Sequence, residues 1–226
     1  MTPDDALARL RAAGDPARAT KMAAYHKTDR TLLGVPGETL NEMAKTLRGD
    51  LTVDARCDLA QSLWTDGTFE ARLLAAKLLT QARLCPDDRT WSILQSWLPD
   101  FDGWAIADTA CGAIARRLTA DPARLDTVET WTTSDHLWTK RAALVATLPW
   151  AKQRHPTAEE AAARARILTW AAAYVPDRNW FIQKAIAWWL RDLSRRDPAA
   201  VRAFLATHAP AMKPFAAKEA ARLLPD

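Results

Sequence analysis

One stretch near the C-terminus shows helical periodicity on two faces: Asn179-Trp180-Phe181-Ile182-Gln183-Lys184-Ala185-Ile186-Ala187-Trp188-Trp189-Leu190-Arg191. Apolar residues recur at the spacing of the buried side of an amphipathic helix: Ile182, Ile186, Trp189 and Leu193. A second stripe with the same spacing combines a tryptophan with three cations: Lys184, Trp188, Arg191 and Arg195. We therefore expect a helix that buries Trp189 and presents Trp188 on a basic face. The alternative for Trp188 is a half-buried packing position covered by the aliphatic stems of its basic neighbours.

Helix signals occur along the whole chain. An aspartate that caps a helix and precedes a proline in its first turn occurs three times: Asp15-Pro16, Asp121-Pro122 and Asp197-Pro198. Three hydroxyl side chains are further N-cap candidates, the last with Glu160 completing a capping box: Thr52, Ser134 and Thr157. Three glycines stand where helices are expected to end: Gly14, Gly49 and Gly67. Because alternating Val/Ile/Thr runs and Asn-Gly turns are missing from the sequence, it predicts an all-α fold.

The expected number of helices, roughly a dozen, favours a particular architecture. Many helices of similar length in pairs, without a long heptad repeat, are typical of an α-solenoid of the HEAT or armadillo type rather than a four-helix bundle. The amino-acid sequence itself repeats only weakly, with successive helix pairs about 40 residues apart. We expect residues 1–226 to form a single domain of stacked, HEAT-like helix pairs, with a concave face for an extended partner.

Composition and residue spacing argue against several classes of protein. The 226 residues are 49% hydrophobic and 26% charged, as in ordinary globular chains. No apolar run approaches the roughly 18 residues of a membrane span, and the acidic start lacks the apolar segment of a secretory signal. The three cysteines are widely spaced and the four histidines share no ligand spacing, so we expect no disulfide, metal or cofactor. We assign the histidines no chemistry and expect a monomer in the bacterial cytoplasm.

Charge is distributed unevenly along the chain. Residues 1–135 carry 16 basic and 20 acidic side chains, whereas residues 136–226 carry 15 and 7. Such a basic C-terminal part favours a polyanionic partner such as nucleic acid, although solvated helical surfaces are often basic as well. The 11 tryptophans fit two uses, because indole binds cations on its face and also fills helical cores.

In two further segments a charged side chain stands where it could bind a group of opposite charge. Trp104 and Asp108 are one helical turn apart, so an aromatic plane beside a carboxylate could receive a cation. The alternative is an exposed aspartate beside a packed tryptophan. Arg141 lies in register with Leu137 and Leu144, and a guanidinium in an apolar stripe needs a carboxylate or phosphate, because an unpaired buried charge is costly. Asp108 is a candidate for that partner.

Five motifs follow one another along the chain: Tyr25-His26-Lys27, Leu32-Leu33-Gly34-Val35-Pro36, Trp104-x-x-x-Asp108, Trp138-x-x-Arg141 and Phe181-Ile182-Gln183-Lys184-Ala185-Ile186-Ala187-Trp188-x-Leu190-Arg191. Together they resemble the DNA alkylation repair family of AlkD-like DNA glycosylases with HEAT-like repeats, from about Leu7 to Leu205. The resemblance implies a crescent of helical repeats that holds duplex DNA on a concave, basic face. It also implies hydrolysis of the N-glycosidic bond of cationic N3- or N7-alkylated purines, such as 3-methyladenine and 7-methylguanine.

The resemblance further implies roles for particular residues. Asp108 corresponds to the family's catalytic aspartate, and Trp104 and Trp188 correspond to its two active-site tryptophans. Tyr25 would line the lesion and Arg141 would orient the site. Four basic residues would contact the DNA backbone: Lys27, Lys184, Arg191 and Arg195. The lesion would stay stacked rather than flip out, while Asp108 stabilises the oxocarbenium and orients a water molecule.

The chain departs from the family's usual pattern at several positions. Ala105 stands where an acidic residue is frequent, His26 where methionine is usual, and Ala187 where glycine is common. Residues 28–31 lack the usual phenylalanines. These departures bear on the range of lesions and the fit to DNA more than on the chemistry. Two other interpretations stay open: a non-catalytic HEAT-repeat protein that binds bent or damaged DNA, and a protein-interaction solenoid that accepts an acidic helix.

Overall fold

The computed structural model describes residues 2–225, which form helices joined by short turns, with no strand within that range. The fourteen α-helices are α1 (Pro3–Ala12), α2 (Pro16–His26), α3 (Gly37–Asp50), α4 (Val53–Asp66), α5 (Phe69–Leu78), α6 (Asp88–Ser96), α7 (Trp104–Ala120), α8 (Leu125–Trp131), α9 (Leu137–Val145), α10 (Leu148–Lys152), α11 (Ala158–Ala173), α12 (Trp180–Ser194), α13 (Pro198–His208) and α14 (Pro214–Ala221). Short 3₁₀ turns occur at Leu98–Asp100, Pro122–Arg124 and Ala209–Ala211. Among these helices, none is long and apolar enough to cross a membrane. The all-α prediction is confirmed.

Most of the predicted capping residues begin helices. The Asp15 carboxylate accepts the backbone N–H groups of Ala17 and Arg18 at the start of α2. Thr157 and Glu160 form the reciprocal capping box of α11. The remaining confirmed caps are Thr52 on α4, Asp121 on the second 3₁₀ turn and Asp197 on α13. These side chains satisfy N–H groups that the first turn of a helix leaves without partners.

Two predicted helix boundaries are wrong. Ser134 was expected to cap a helix, but α9 starts at Leu137, and the Ser134 hydroxyl accepts the N–H of His136 within the preceding turn. This local bond is the alternative that serine offers to a helix start. Gly49 was expected to end a helix but lies inside α3, which continues to Asp50. Gly67 does end α4, in the left-handed conformation with φ of 82°.

The chain divides between Ala120 and Asp121 into two compact units, and each is built around one helix. In the first unit, α5 packs against α1, α3, α4 and α7. In the second unit, α12 packs against α9, α10, α13 and α14. The single domain and the concave face expected from the sequence stay predictions.

The apolar stripe of α12 forms part of the core of the second unit. All four residues of the predicted stripe have no exposed side-chain area: Ile182, Ile186, Trp189 and Leu193. The indole N–H of Trp189 donates to the backbone carbonyl of Thr147 at 3.3 Å, so its polar atom is satisfied inside the core. The predicted packing position of Trp189 is confirmed.

The segment Leu32–Pro36 is held by a buried carboxylate in the first unit. Glu70 of α5 accepts the backbone N–H groups of Leu33 at 2.9 Å, Gly34 at 2.7 Å and Val35 at 3.3 Å. Gly34 has φ of 78°, and a Cβ atom there would lie 2.1 Å from the backbone oxygen of Asp15. Because the start of α2 rests directly on this glycine, the segment fixes the helix that carries Tyr25 and His26.

Candidate functional site

Helix α7 begins with the two residues of the predicted cation-receiving pair. Trp104 is its first residue and Asp108 follows one turn later, and both side chains are half-buried. The opposite stripe of the helix is buried in the core of the first unit: Ile106, Ala110 and Ile114. The indole and the carboxylate therefore share a side of α7 that is not used for core packing.

A cavity of about 380 Å³ in the first unit contains this pair in its wall. Its aromatic lining comes from three helices: His26 of α2, Phe69 of α5 and Trp104 of α7. Asp108 is the carboxylate of the lining, and Arg18 and Lys77 are its cations. A cavity with π faces, one carboxylate and basic groups suits a cationic ring that is attached to phosphates.

The aromatic rings at this cavity form a continuous cluster. The His26 ring lies 5.1 Å from that of Trp104 and 4.8 Å from that of Phe69, measured between centroids. Tyr25 meets Trp104 edge to face at 5.9 Å, with an interplanar angle of 86°. Since Tyr25 is 70% exposed, it extends the aromatic surface from the cavity into solvent. Such exposure of a large ring at a cavity is typical of a binding surface.

Burial weakens the basicity of two groups in the cavity wall. Burial, and then the charge of Arg48, lower the pKa of the Lys77 amino group, which donates to Asn41 Oδ1 at 2.7 Å. Burial also lowers the pKa of the His26 imidazole, which the Glu70 charge opposes. The net effect of the surroundings favours the neutral form of the imidazole.

Lys27 lies next to the aromatic cluster, at the end of α2. It adopts the left-handed conformation with φ of 51°, and its N–H donates to the carbonyl of Ala23 at 2.9 Å. A left-handed residue other than glycine is uncommon and ends the helix abruptly. The side chain of Lys27 is exposed, as a phosphate contact requires.

In the second unit, Trp188 is half-buried and hydrogen-bonded through its ring nitrogen. Trp188 Nε1 donates to Asp192 Oδ2 at 3.1 Å. The same carboxylate lies 3.3 Å from the Arg191 guanidinium and 3.4 Å from Lys152 Nζ. A charge-assisted hydrogen bond of this kind fixes the plane of the indole.

The three cations of the predicted basic stripe on α12 differ in exposure and in the carboxylates that surround them. Arg191 contacts Glu219 as well as Asp192, so two carboxylates offset its charge. Lys184 Nζ lies over the Trp180 ring at 4.5 Å from its centroid and is exposed. Arg195 is also exposed. Lys184 and Arg195 are therefore better placed than Arg191 to attract a polyanion.

Arg141 is buried in the second unit, as its apolar register predicts, with 2% of its surface exposed. Its Nη1 donates to the backbone carbonyl of Phe181 at 2.7 Å. The Phe181 ring in turn lies 4.7 Å from that of Trp138. Arg141 thus ties α9 to the first turn of α12, the helix that carries Trp188.

Comparison with known proteins identifies the family of the chain. Residues 6–224 match the family model of the DNA alkylation repair enzyme. The chain belongs to the DNA alkylation repair enzyme family. The resemblance seen in the five motifs is therefore confirmed, and a role in the repair of alkylated DNA follows from membership of this family.

Three solved structures share the fold of this chain. A predicted DNA alkylation repair enzyme from Enterococcus faecalis superposes with a TM-score of 0.77 at 19% identity, over 93% of this chain and 96% of that one. AlkD2 from Streptococcus mutans superposes with a TM-score of 0.69 at 17% identity, and the match covers all of both chains. The protein smu.31 from Streptococcus mutans UA159 superposes with a TM-score of 0.65 at 18% identity, over 83% of this chain and 92% of that one. No curated protein matches the chain.

Several residues of this DNA alkylation repair family member were not predicted from the sequence as parts of the site. His26 and Phe69 enter the cavity wall from different helices, and no spacing in the sequence links them to Trp104. Asp192 could have been found, because it stands four residues after Trp188 on the same helix. Lys152 and Glu219 meet this cluster from α10 and α14, at sequence distances that no local pattern spans.

Proposed function

We propose that the protein is a DNA glycosylase that hydrolyses the N-glycosidic bond of cationic N3- and N7-alkylated purines in duplex DNA. The observation that supports it most is the position of Asp108, one turn from Trp104, in the wall of an aromatic cavity. A carboxylate and π faces together suit a reaction in which positive charge moves from a base to a sugar.

The chemistry needs few protein groups. An alkylated purine already carries a positive charge and leaves as a neutral base when the C1′–N bond breaks with its electron pair, so no general acid is required. One carboxylate can replace the two of ordinary glycosidases. Asp108 stabilises the oxocarbenium sugar and orients a water molecule, which forms the new C1′–O bond and gives its proton to the carboxylate or to solvent.

The remaining residues bind and orient. Trp104 and Trp188 offer indole faces worth about 0.5–2 kcal/mol each to a cation. Tyr25 lines the lesion, and Arg141 orients the site. The DNA backbone contacts Lys27, Lys184 and Arg195, and Arg191 once a phosphate competes with its carboxylates. On this proposal the lesion stays stacked, and the protein acts as a monomer without metal or cofactor.

Replacement of the catalytic carboxylate tests the proposal. Asp108→Asn keeps the shape of the side chain but removes the charge that stabilises the oxocarbenium. We expect release of 7-methylguanine from methylated duplex DNA to fall by at least about 100-fold, with little change in DNA binding. Asp29→Asn is the matched control, because it removes an exposed carboxylate of the same unit that does not line the cavity.

The same assay separates the other interpretations. Salt-sensitive retention of duplex DNA by the unaltered protein, without release of methylpurine, would indicate a non-catalytic DNA-binding module. Absence of DNA retention at physiological salt would indicate a protein-interaction solenoid. Unimpaired release by Asp108→Asn would remove Asp108 from the mechanism.

A further inference from the structure

A group of cations in the first unit lies beside the cavity and has no part in the proposed function. Arg48, in the last turn of α3, donates through Nη1 to the backbone carbonyl of Lys77, near the end of α5, at 3.3 Å. Lys77 Nζ donates in return to Asn41 Oδ1 of α3 at 2.7 Å. The two helices therefore hold the two cations next to each other, and Lys77 also lines the cavity that contains Asp108.

A third cation, Arg56 of α4, is buried close to this pair, with 7% of its surface exposed. Its guanidinium donates to the backbone carbonyl of Leu51 at 3.2 Å and to the side-chain oxygen of Gln81. Burial, and then the charge of Arg48, lower the pKa of Arg56 and the pKa of Lys77. Arg48 thus repels both of its neighbours, and three like charges grouped in this way favour an anion beside them.

The oxygens that accept hydrogen bonds from these cations are uncharged. They are amide oxygens of Asn41 and Gln81 and backbone carbonyls at the C-terminal ends of α3 and α5. Within residues 2–225, the three cations form no ion pair with a carboxylate. A helix end carries the equivalent of about half a negative charge, so two ends offset about one positive charge and about two remain. Helix capping therefore accounts for only part of this basic group.

Lys45 extends the basic group into solvent. Asn41, Lys45 and Arg48 stand at positions i, i+4 and i+7, so they share one face of α3. Asn41 and Arg48 both contact Lys77, which shows that this face meets the end of α5. Lys45 is exposed, and Arg48 and Lys77 are half-buried. The three cations therefore form a row that begins in the cavity wall and reaches the surface.

We propose that Lys45, Arg48 and Lys77 form a binding site for backbone phosphates of duplex DNA, and that the buried Arg56 adds to its positive charge. This inference rests on the proposed function only in that the partner is duplex DNA, because the site would act in the same way in a protein that releases no base. Ammonium groups bind phosphate oxygens as point charges, and a guanidinium can bind two of them at once. Contacts of this kind position a protein on a duplex without reading its sequence.

The site gives a DNA contact to a part of the chain whose overall charge is negative. Residues 1–135 carry 16 basic and 20 acidic side chains, so net charge alone directs a polyanion to residues 136–226. The local arrangement differs from that average, because Lys45 and Arg48 of α3 meet Lys77 of α5. A duplex held by both units would have phosphate contacts on either side of the lesion.

The salt dependence of duplex binding measures the site. Each phosphate contact releases about 0.9 of a counterion, so the slope of log K against log salt counts the contacts. The affinity for an unmodified duplex is measured between about 50 and 300 mM salt for the wild type, Lys45→Gln and Arg48→Gln. Arg89→Gln is the matched control, because it removes a positive charge of the same unit that is paired with Asp54 and Asp58.

We expect Lys45→Gln and Arg48→Gln each to reduce the slope by about one and to weaken binding about tenfold at about 0.1 M salt. Arg48→Lys and Arg89→Gln should keep the wild-type slope. Arg48 also contacts the end of α5, so urea denaturation measures the stability of its variants, whereas the exposed Lys45 tests the site without this complication. A wild-type slope in Lys45→Gln would overturn the site. An equal decrease in Arg89→Gln would also overturn it, since the effect would then belong to overall charge.

Base release separates this inference from the proposed function. At saturating protein, Lys45→Gln should release 7-methylguanine at the wild-type single-turnover rate, because a phosphate contact is made equally in the ground state and the transition state. Reduced slopes in the variants, without base release by the wild type, would refute the glycosylase activity and leave the phosphate site in place. Base release by the wild type, with unaltered slopes in the variants, would refute the phosphate site alone.

Discussion

The indole N–H of Trp188 donates to the carboxylate of Asp192, one turn further along α12, at 3.1 Å. The same carboxylate forms ion pairs with Arg191 and Lys152. Asp192 therefore has two separable effects: it fixes the orientation of Trp188 and reduces the positive charge of its surface. The two effects predict opposite changes in rate and in DNA affinity when the carboxylate is removed.

Asp192→Asn is expected to lower the single-turnover rate of base release about tenfold, the loss of roughly 1.4 kcal/mol when a charge-assisted bond becomes a neutral one. Affinity for undamaged duplex should rise, because Arg191 and Lys152 lose a counter-charge. Glu219→Gln is the matched control, since it also relieves Arg191 but does not touch Trp188. It should raise affinity and keep the rate. An equal loss of rate in both variants would contradict the orienting role of Asp192.

The neighbouring tryptophans Trp188 and Trp189 should respond to substitution in opposite ways. Trp188→Ala should reduce base release strongly and stability little, because the ring is half-buried and proposed to face the DNA. Trp189→Phe should lower the free energy of unfolding by about 1–2 kcal/mol and leave the rate nearly intact, because Trp189 has no exposed area and bonds to Thr147. Urea denaturation and base release measure the two quantities, and equal loss of rate in both variants would show that the DNA-facing side of α12 is misassigned.

Gly34→Ala should destabilise the protein by about 3 kcal/mol or more, because the added methyl would lie 2.1 Å from the Asp15 backbone oxygen at a positive φ. Gly37→Ala is the control: it adds the same atom where nothing lies within 4 Å, at the start of α3. That control should be neutral or slightly stabilising. The denaturation midpoints of the two variants measure this difference in stability. Similar midpoints would show that the backbone at Gly34 leaves room for a Cβ atom.

Acid should destabilise the protein partly through His26. The unfolded imidazole takes up a proton near its ordinary pKa of 6.5, whereas burial lowers the pKa of the folded one. The unfolded state therefore binds more protons below pH 6.5, and the free energy of unfolding decreases as the pH falls through this range. His26→Phe should show a smaller decrease than the unaltered protein between about pH 7.5 and pH 5.5, measured by urea denaturation. Parallel pH profiles would contradict a lowered pKa at His26.

Local patterns in the sequence predicted the helices and their caps because those features depend on neighbours three or four residues away. Asp15 and Thr157 cap helices where expected, and Trp189 lies in the core. Ser134 shows the limit of such signals, because a serine hydroxyl can serve a turn as well as a helix start.

The cavity could be predicted only in part. Trp104 and Asp108 were found from their spacing on one helix, but His26 and Phe69 reach the cavity from other helices. Contacts of this kind depend on how helices pack, which periodicity within one helix does not encode. For that reason His26 was assigned no role from the sequence, although its ring is in contact with Trp104.

The anchoring of α2 by Glu70 and Gly34 separates the scaffold of the cavity from its lining. Neither of these two residues contributes a wall to the cavity, whereas Tyr25 and His26 lie at the far end of the helix they secure. Directed evolution of new damage preferences can therefore diversify Tyr25 and His26 freely, provided that Glu70 and Gly34 are kept.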